Sequence, residues 1–522
     1  MLATQPRQRQ ALEQLVMICL QGGRPDEAQR HLQQLVDAYP GEAIYTERLA
    51  TLLERRGHSD KAAACYRRLL AARPGLNNSR YNLARLLKRI GRSEEALQEY
   101  QACLARNIER PEEVHNNISV IHTARQRHEQ ALAALQAALA HNPGYIPALY
   151  NLAQLREEQG EWAEARRLFT RILQREPRHA GALAHIANGE RITDPVAPVV
   201  RQMKRALRNE DLAAADREEL LYALGKAHDD CGHYDRAFDY YRQANLLSRQ
   251  RAGSYSRERQ EQLVDQLIAH CDRRWLQTIR PVSEQPLVFI CGMFRSGSTL
   301  LEQILAGHSA LAAGGEIDFF QRELAPFPRT LATLGAPALD ALGRSYLDYL
   351  AEAFQGGTRI INKRPDNFFC IGLLHALYPN ARFLISSREP LDNCLSLYFQ
   401  PMEAAQDQAN DLLDAGHYYL QYRRLIQHWQ QLAGSALLEV GYENLVAGAR
   451  QVTGEVLDFL DLDWEEQCLD FHRAGNRVRT ASAHQVRQPL YQGSRGRWQH
   501  YEQHLQPLRE YLQTAQAPAT GA

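Results

Sequence analysis

Arg295, Ser296, Ser298 and Thr299 fall within five consecutive residues of "CGMFRSGSTLLEQIL", residues 291–305. Three hydroxyls and a guanidinium beside Gly292 and Gly297 form a set suited to an oxyanion. The glycines allow a tight turn whose backbone N–H groups converge on one spot, and the arginine adds a planar, permanently charged fork. The apolar run "PLVFI" before the turn and the helical apolar spacing after it read strand, turn, helix. A bound anion would then also sit at a helix N-terminus. A classical ATPase loop carries a Lys for the β and γ phosphates and a Ser/Thr for Mg²⁺. No Lys precedes Ser298–Thr299, which counts against a Mg·ATP-dependent kinase-like enzyme.

The other candidates stand at strand ends. From about Pro286 onward, strand-like runs alternate with helical ones. "PLVFI" leads into Arg295–Thr299, "TRIIN" into Lys363, "ARFLIS" into Arg388, and "SALLEV" into Tyr442 and Glu443. In an open parallel sheet, ligands bind beyond the carboxyl ends of the strands, so four ends converge on one crevice. Arg388 and Ser396 lie eight residues apart in "SSREPLDNCLSLYFQ", a spacing that lets both face one phosphate. An ion pair with Glu389 or Asp392 is the plainer reading of Arg388. Glu316, in "AAGGEIDFF", follows paired glycines that suit an exposed, sharply turned carboxylate; a helix-start acid is its plainer reading. Lys363 reads otherwise as a solvated strand-end charge. His308, in "LAGHS", reads as a hydrogen-bonding structural residue.

"FRSGSTLLEQILAGHSAL" resembles the 5′-phosphosulfate-binding loop of sulfotransferases, in particular the tyrosylprotein type and its repeat-bearing bacterial relatives. The loop, commonly R-S-G-T-T-L, is matched by Arg295, Ser296, Gly297, Ser298, Thr299 and Leu300. The resemblance implies 3′-phosphoadenosine 5′-phosphosulfate (PAPS) as sulfuryl donor, 3′-phosphoadenosine 5′-phosphate (PAP) as product, and no required metal. It implies that Arg388, Ser396 and Tyr442 hold the 3′-phosphate. Ser482 and Arg487, in "RTASAHQVRQPLYQGSRGRW", match a C-terminal donor-gripping segment; the tyrosylprotein enzymes typically carry Lys at the second position. Glu316 would take the acceptor's proton, while Lys363 and Arg295 neutralise the leaving phosphate. Two positions depart from the tyrosylprotein pattern: Gln400 and Asp318 stand where it has Arg.

The first half is periodic. Pro40 and Pro74 lie 34 residues apart, as do Pro143 and Pro177, and Gly23, Gly57 and Gly91 keep the same step. Ala28, Ala62, Ala96, Ala131 and Ala165 follow at 34, 34, 35 and 34. Each unit reads as two amphipathic helices with Gly in the turn and Ala at the crossing. This resembles the tetratricopeptide repeat, with a sixth unit around Gly232 and Ala237 after an off-period helical insert near 190–218. Asn82, Asn116, Asn117 and Asn151 lie on first helices, where they either grip a peptide backbone or serve as structural amides.

The expected fold is thus a helical repeat superhelix over 1–250, a helical linker over 251–285, and an α/β domain of the P-loop-like sulfotransferase fold over 286–522. Lys+Arg and Asp+Glu are both 61 among 522 residues, so nothing calls for nucleic acid or an anionic membrane. No apolar run is long enough to span a bilayer. Nine scattered cysteines without metal spacing fit a reducing compartment, and the expectation is a bacterial-type cytoplasmic enzyme. The expected partner is a hydroxyl-bearing acceptor: a peptide or protein tyrosine docked by the repeats, or a glycan or small phenol. An inactive repeat scaffold is the remaining alternative, and a homodimer is left open.

Overall fold

The computed structural model describes residues 6–125, 127–354, 359–402, 405–473, 493 and 495–516. It divides into two compact units, Met1–Leu155 and Arg156–Ala522.

The first unit is a run of antiparallel helix pairs: Pro6–Gln21 with Pro25–Ala38, Ala43–Arg55 with Ser59–Ala72, Asn77–Arg89 with Ser93–Ala105, and Pro111–Ala124 with His128–His141, then Ile146–Glu158. Ala28, Ala62, Ala96 and Ala131 are wholly buried, and their small side chains let the paired helices cross closely. Gly23, Gly57 and Gly91 adopt φ of +68°, +77° and +78° in the turns, a left-handed conformation that ends the first helix of each pair. Three of the four asparagines singled out are hydrogen-bonded within the helical stack. Asn117 donates to the Tyr81 hydroxyl (3.0 Å) and the Glu113 carbonyl (2.9 Å) and accepts from Lys88, while Asn151 donates to Asn116 Oδ1 (2.9 Å).

The second unit opens with helix Trp162–Arg175. Ala180–Asn188 follows it, Pro198–Leu207 lies within the expected off-period insert near 190–218, and Ala214–Asp230 with Tyr234–Ala252 restores the repeat form. Two further helices, Arg257–His270 and Arg273–Thr278, lead to a five-stranded sheet: β1 (Val288–Gly292), β2 (Leu311–Ala313), β3 (Arg359–Lys363), β4 (Arg382–Ser387) and β5 (Leu437–Gly441). The order is β2-β3-β1-β4-β5, and every pairing is parallel. Three-residue β2, too short to show as an apolar run, joins the four strands legible in the sequence. In β1, Phe289 and Cys291 pack into one core while Val288 and Ile290 pack into another. This two-sided burial is what a parallel sheet covered on both faces requires. The chain passes from β3 to β4 across β1, so the order reverses at the carboxyl end of β1, the place where such sheets open a crevice.

The last repeat pair is built into the α/β core. Tyr222, Ala237 and Tyr241 share one buried cluster with Phe289 and Phe383. The Tyr241 ring stacks on Phe399 at 3.9 Å, and Asn245 donates to the Tyr398 carbonyl at 2.8 Å. Asp229 accepts from Arg497 at 2.6 Å and from the Tyr501 hydroxyl. Among the described residues no helix is long and apolar enough to cross a membrane.

Truncating Asp229 leaves a largely buried guanidinium without its counter-charge. Asp229→Ala is expected to lower unfolding stability by about 3 kcal/mol, read by urea denaturation; an unchanged midpoint would mean the pair is solvated and contributes nothing.

Candidate active site

The anion loop begins where β1 ends. Gly292 has φ +151°, and a Cβ there would lie 2.3 Å from the Ser386 carbonyl oxygen of β4. Only glycine lets the loop leave the sheet this close to its neighbour. Beyond it, three loop carbonyls are held from the β4 side. Phe294 O accepts from Asn393 Nδ2 (3.0 Å), Arg295 O from Arg388 Nη1 (3.3 Å) and Ser296 O from Ser386 Oγ (2.9 Å). A trans peptide carries its N–H opposite its carbonyl. Pinning these carbonyls toward β4 therefore turns the N–H groups of the loop the other way. Ser296 Oγ closes the turn onto Met293 O at 2.7 Å, and helix Ser298–Leu305 follows at once.

Five expected phosphate-site residues meet around this loop. Arg295, at φ +67°, donates from Nε to Ser396 Oγ at 3.3 Å. Ser396 comes from helix Pro390–Tyr398, which follows β4. The Tyr442 ring lies against Gly297, where a Cβ would sit 2.6 Å from Cδ2, and the Arg388 guanidinium lies 4.9 Å over the same ring. Strand ends β1, β4 and β5 thus bring Arg295, Gly297, Arg388, Ser396 and Tyr442 together. Ser296, Ser298 and Thr299 are buried in the loop and the first helical turn. The acids beside Arg388 are engaged with backbone. Glu389 accepts from Asp392 N (2.7 Å), and Asp392 accepts from Gly496 N (2.6 Å) and Trp498 N (2.7 Å).

A second cluster forms at β3. Lys363, its last residue, is buried, not solvated, and its Nζ meets Glu316 Oε1 at 2.6 Å. Glu316 keeps 38 % of its side chain exposed, so the ammonium is enclosed while the carboxylate opens to solvent. Its turn runs along β3, with Gly314 N donating to Ile361 O (2.9 Å) and Lys363 N to Gly315 O (3.0 Å). β1 fixes the spacing of the clusters, since Lys363 pairs in register with Ile290 and Ser386 with Gly292.

Sequence reasoning missed several contributors. Ser386 and Asn393 look like ordinary polar residues, and only the fold brings them onto the loop. Glu302 left a faint signal, a lone acid in the apolar run "STLLEQIL". It is almost fully buried and accepts from Gly315 N at 2.8 Å. Ser482 and Arg487 lie outside the described residues. Asp318 pairs with Arg322, one turn on, at 3.5 Å. Gln400 stands just past the Pro390–Tyr398 helix, its N–H on Leu397 O. His308 is a structural residue, with Nε2 on Asp463 O (2.9 Å) and Nδ1 accepting from Ala310 N (3.1 Å). Among the described residues no group of three His, Cys, Asp or Glu could hold a metal.

Burial pushes the Glu302 carboxyl from its ordinary 4.5 up to about 7; Lys363 and the Gly315 N–H oppose the shift and Glu316 reinforces it. A carboxylate with a raised folded pKa binds its proton more tightly when folded. The stability this confers is complete below the unfolded pKa and is lost as pH rises through 7. Glu302→Gln keeps an acceptor for Gly315 N and removes the ionisation. It is expected to gain stability over the parent on going from pH 5 to pH 8, by up to about 3 kcal/mol, read by denaturation at both values. An equal difference at the two pH values would mean that Glu302 does not titrate in this window.

Comparison with known proteins finds two kinds of match. Residues 286–466 match the sulfotransferase family, and residues 17–77, 81–146, 122–187 and 218–251 match tetratricopeptide repeats. An uncharacterized protein of Aquifex aeolicus is 27% identical over 74% of this chain and 52% of its own length. Protein-tyrosine sulfotransferase 2 of Gallus gallus is 25% identical over 36% of this chain and 54% of its own. The chain thus spans about half the length of these two relatives. Among solved structures, the sulfotransferase domain of the Synechococcus PCC 7002 olefin synthase aligns with TM-score 0.34 and 21% identity, over 42% of this chain and 88% of that one. A tetratricopeptide repeat protein from Parabacteroides merdae aligns with TM-score 0.36 and 18% identity, over 46% and 93%. With the loop, the strand-end arginines and the repeats in place, the chain combines a domain of the sulfotransferase family with an array of tetratricopeptide repeats.

Proposed function

We propose that this chain transfers the sulfuryl group of PAPS to a hydroxyl acceptor. The observation that carries this reading is the convergence of Arg295, Arg388, Ser396 and Tyr442 on one glycine-bounded loop, with the Lys363–Glu316 pair at the adjoining strand end. The loop N–H groups and Arg295 hold the 5′-phosphosulfate; Arg388, Ser396 and Tyr442 hold the 3′-phosphate, with Ser482 and Arg487 assigned to the same donor. Arg offers a bidentate, charge-assisted fork to each phosphate.

The acceptor hydroxyl gives its proton to Glu316 as its oxygen attacks sulfur. The bond from sulfur to the bridging oxygen breaks, and its electron pair stays on that oxygen. Lys363 and Arg295 neutralise the charge that grows there. The products are a sulfate ester and PAP. The Lys363–Glu316 contact holds the ammonium beside the base, from where it turns to the bridging oxygen. No step needs a metal.

The acceptor we assign is a tyrosine of a peptide or protein, docked by the repeats. Similarity to proteins named protein-tyrosine sulfotransferases supports the acceptor, and repeat arrays present extended concave surfaces suited to a chain. All nine cysteines are free thiols, which supports a reducing, cytoplasmic setting.

Calorimetric titration with PAP, without metal and against Mg·ATP, tests the donor site. PAP is expected to bind in preference, and Arg295→Ala or Arg388→Ala to weaken it at least about tenfold, the value of one charge-assisted contact. Glu316→Ala is expected to keep PAP affinity and to lose turnover by about two orders of magnitude. A preference for Mg·ATP, or no binding of PAP, would overturn the reading.

A further inference from the structure

We propose that Glu302 is a positioning residue for Glu316: its buried carboxylate latches the Gly314–Glu316 turn onto the helix that closes the anion loop. The inference rests on the function proposed above and names a group which that mechanism does not use.

Helix Ser298–Leu305 has two working ends. Ser298 and Thr299 form its first turn, at the anion loop. Glu302 stands on the next turn, about 5 Å further along the axis. Only 3 % of Glu302 is exposed, and Oε1 accepts from Gly315 N at 2.8 Å. That amide belongs to the residue directly before Glu316. On its other side the turn is seated on β3, through Gly314 N on Ile361 O and Lys363 N on Gly315 O. The seat is close, since a Cβ on Gly314 would lie 2.7 Å from Ile361 O. The backbone leading to the base is thereby clamped between the donor-loop helix and the strand that carries Lys363.

The clamp answers a geometric need. Sulfuryl transfer sets the attacking oxygen, sulfur and bridging oxygen in line, and a displacement of about 1 Å can cost a hundredfold in rate. Gly314 and Gly315 leave the turn little stiffness of its own, and Gly315 adopts φ +68°. A single short helix that touches the phosphosulfate at one end and the base's turn at the other fixes their separation. A residue whose only task was to fill this core would be apolar; an acid here must hold something. The requirement is for an acceptor at that point, so glutamine can serve and alanine cannot.

The test uses the full chain and the variants Glu302→Ala and Glu302→Gln. Amide hydrogen exchange of the Leu311–Asp318 segment reads the latch directly. Exchange there is expected to quicken at least tenfold in Glu302→Ala and to stay within threefold of the parent in Glu302→Gln. PAPS consumption with a tyrosine-containing peptide as the probe acceptor reads the consequence. Glu302→Ala is expected to lose about fiftyfold in kcat with the donor KM within twofold, and Glu302→Gln to recover most of the loss. Unchanged exchange in Glu302→Ala, or a loss confined to donor KM, would overturn the proposal. So would equal losses in both variants, which would point to charge and not to the latch. A parent protein that consumes no PAPS would sink the function proposed above, and the exchange arm would still decide whether Glu302 holds the turn.

Discussion

The approach of Gly292 to the Ser386 carbonyl sets the site. At that contact β1 leaves the sheet with no room for a side chain, so the loop after it must run flush along the end of β4. Its carbonyls then lie within reach of Ser386, Arg388 and Asn393, all from β4 and the helix behind it. The conformation that results is costly at one position. Arg295 is not glycine, yet it adopts φ +67°, a strain of order 1 kcal/mol. The bond from Arg388 to the Arg295 carbonyl offsets that cost and links the two arginines assigned to separate phosphates. The Arg388 guanidinium also lies over the Tyr442 face in a cation–π contact.

Charge at the second cluster is arranged in the opposite sense. One enclosed ammonium, Lys363, lies in the field of Glu316, in direct contact, and of Glu302. A buried ammonium is tolerable only with a partner, and Glu316 supplies it by direct contact. Glu302 is anchored to backbone and stays in place; Glu316 reaches solvent. The asymmetry of their burial separates the roles, so that the accessible acid is the one that can meet a substrate hydroxyl.

Much of this was legible in the chain, and the reason is local. Strand ends, glycine-bounded turns and helix starts are properties of short segments. The residues at those points, Arg295, Glu316, Lys363, Arg388 and Tyr442, could therefore be picked out by type and position. The repeat period is equally local, since each Ala and Gly answers to its own helix pair. What escaped notice depends on partners far along the chain. β2 is a strand only because β3 lies beside it, and Ser386 and Asn393 matter only because the loop returns to them. Glu302 matters only because the Gly314–Glu316 turn packs back onto its helix. The C-terminal candidates Ser482 and Arg487 remain readings of sequence alone.

The same distinction bears on how the repeats relate to the chemistry. By period, Ala214–Asp230 and Tyr234–Ala252 are one more repeat. By packing they belong to the α/β core, through Tyr241 on Phe399, Asn245 on the Tyr398 backbone and Asp229 on Arg497 and Tyr501. Tyr398 closes the helix that carries Ser396. Asp392, on that same helix, holds the backbone of Gly496 and Trp498, next to the Arg497 that Asp229 grips. One helix thus carries Ser396, proposed above to hold the 3′-phosphate, and is braced by the last repeat and by the C-terminal segment. A core packed at near-crystalline density passes displacement from one element to the next. Movement of this last helix pair would therefore reach the helix that touches the loop through Asn393 and Ser396.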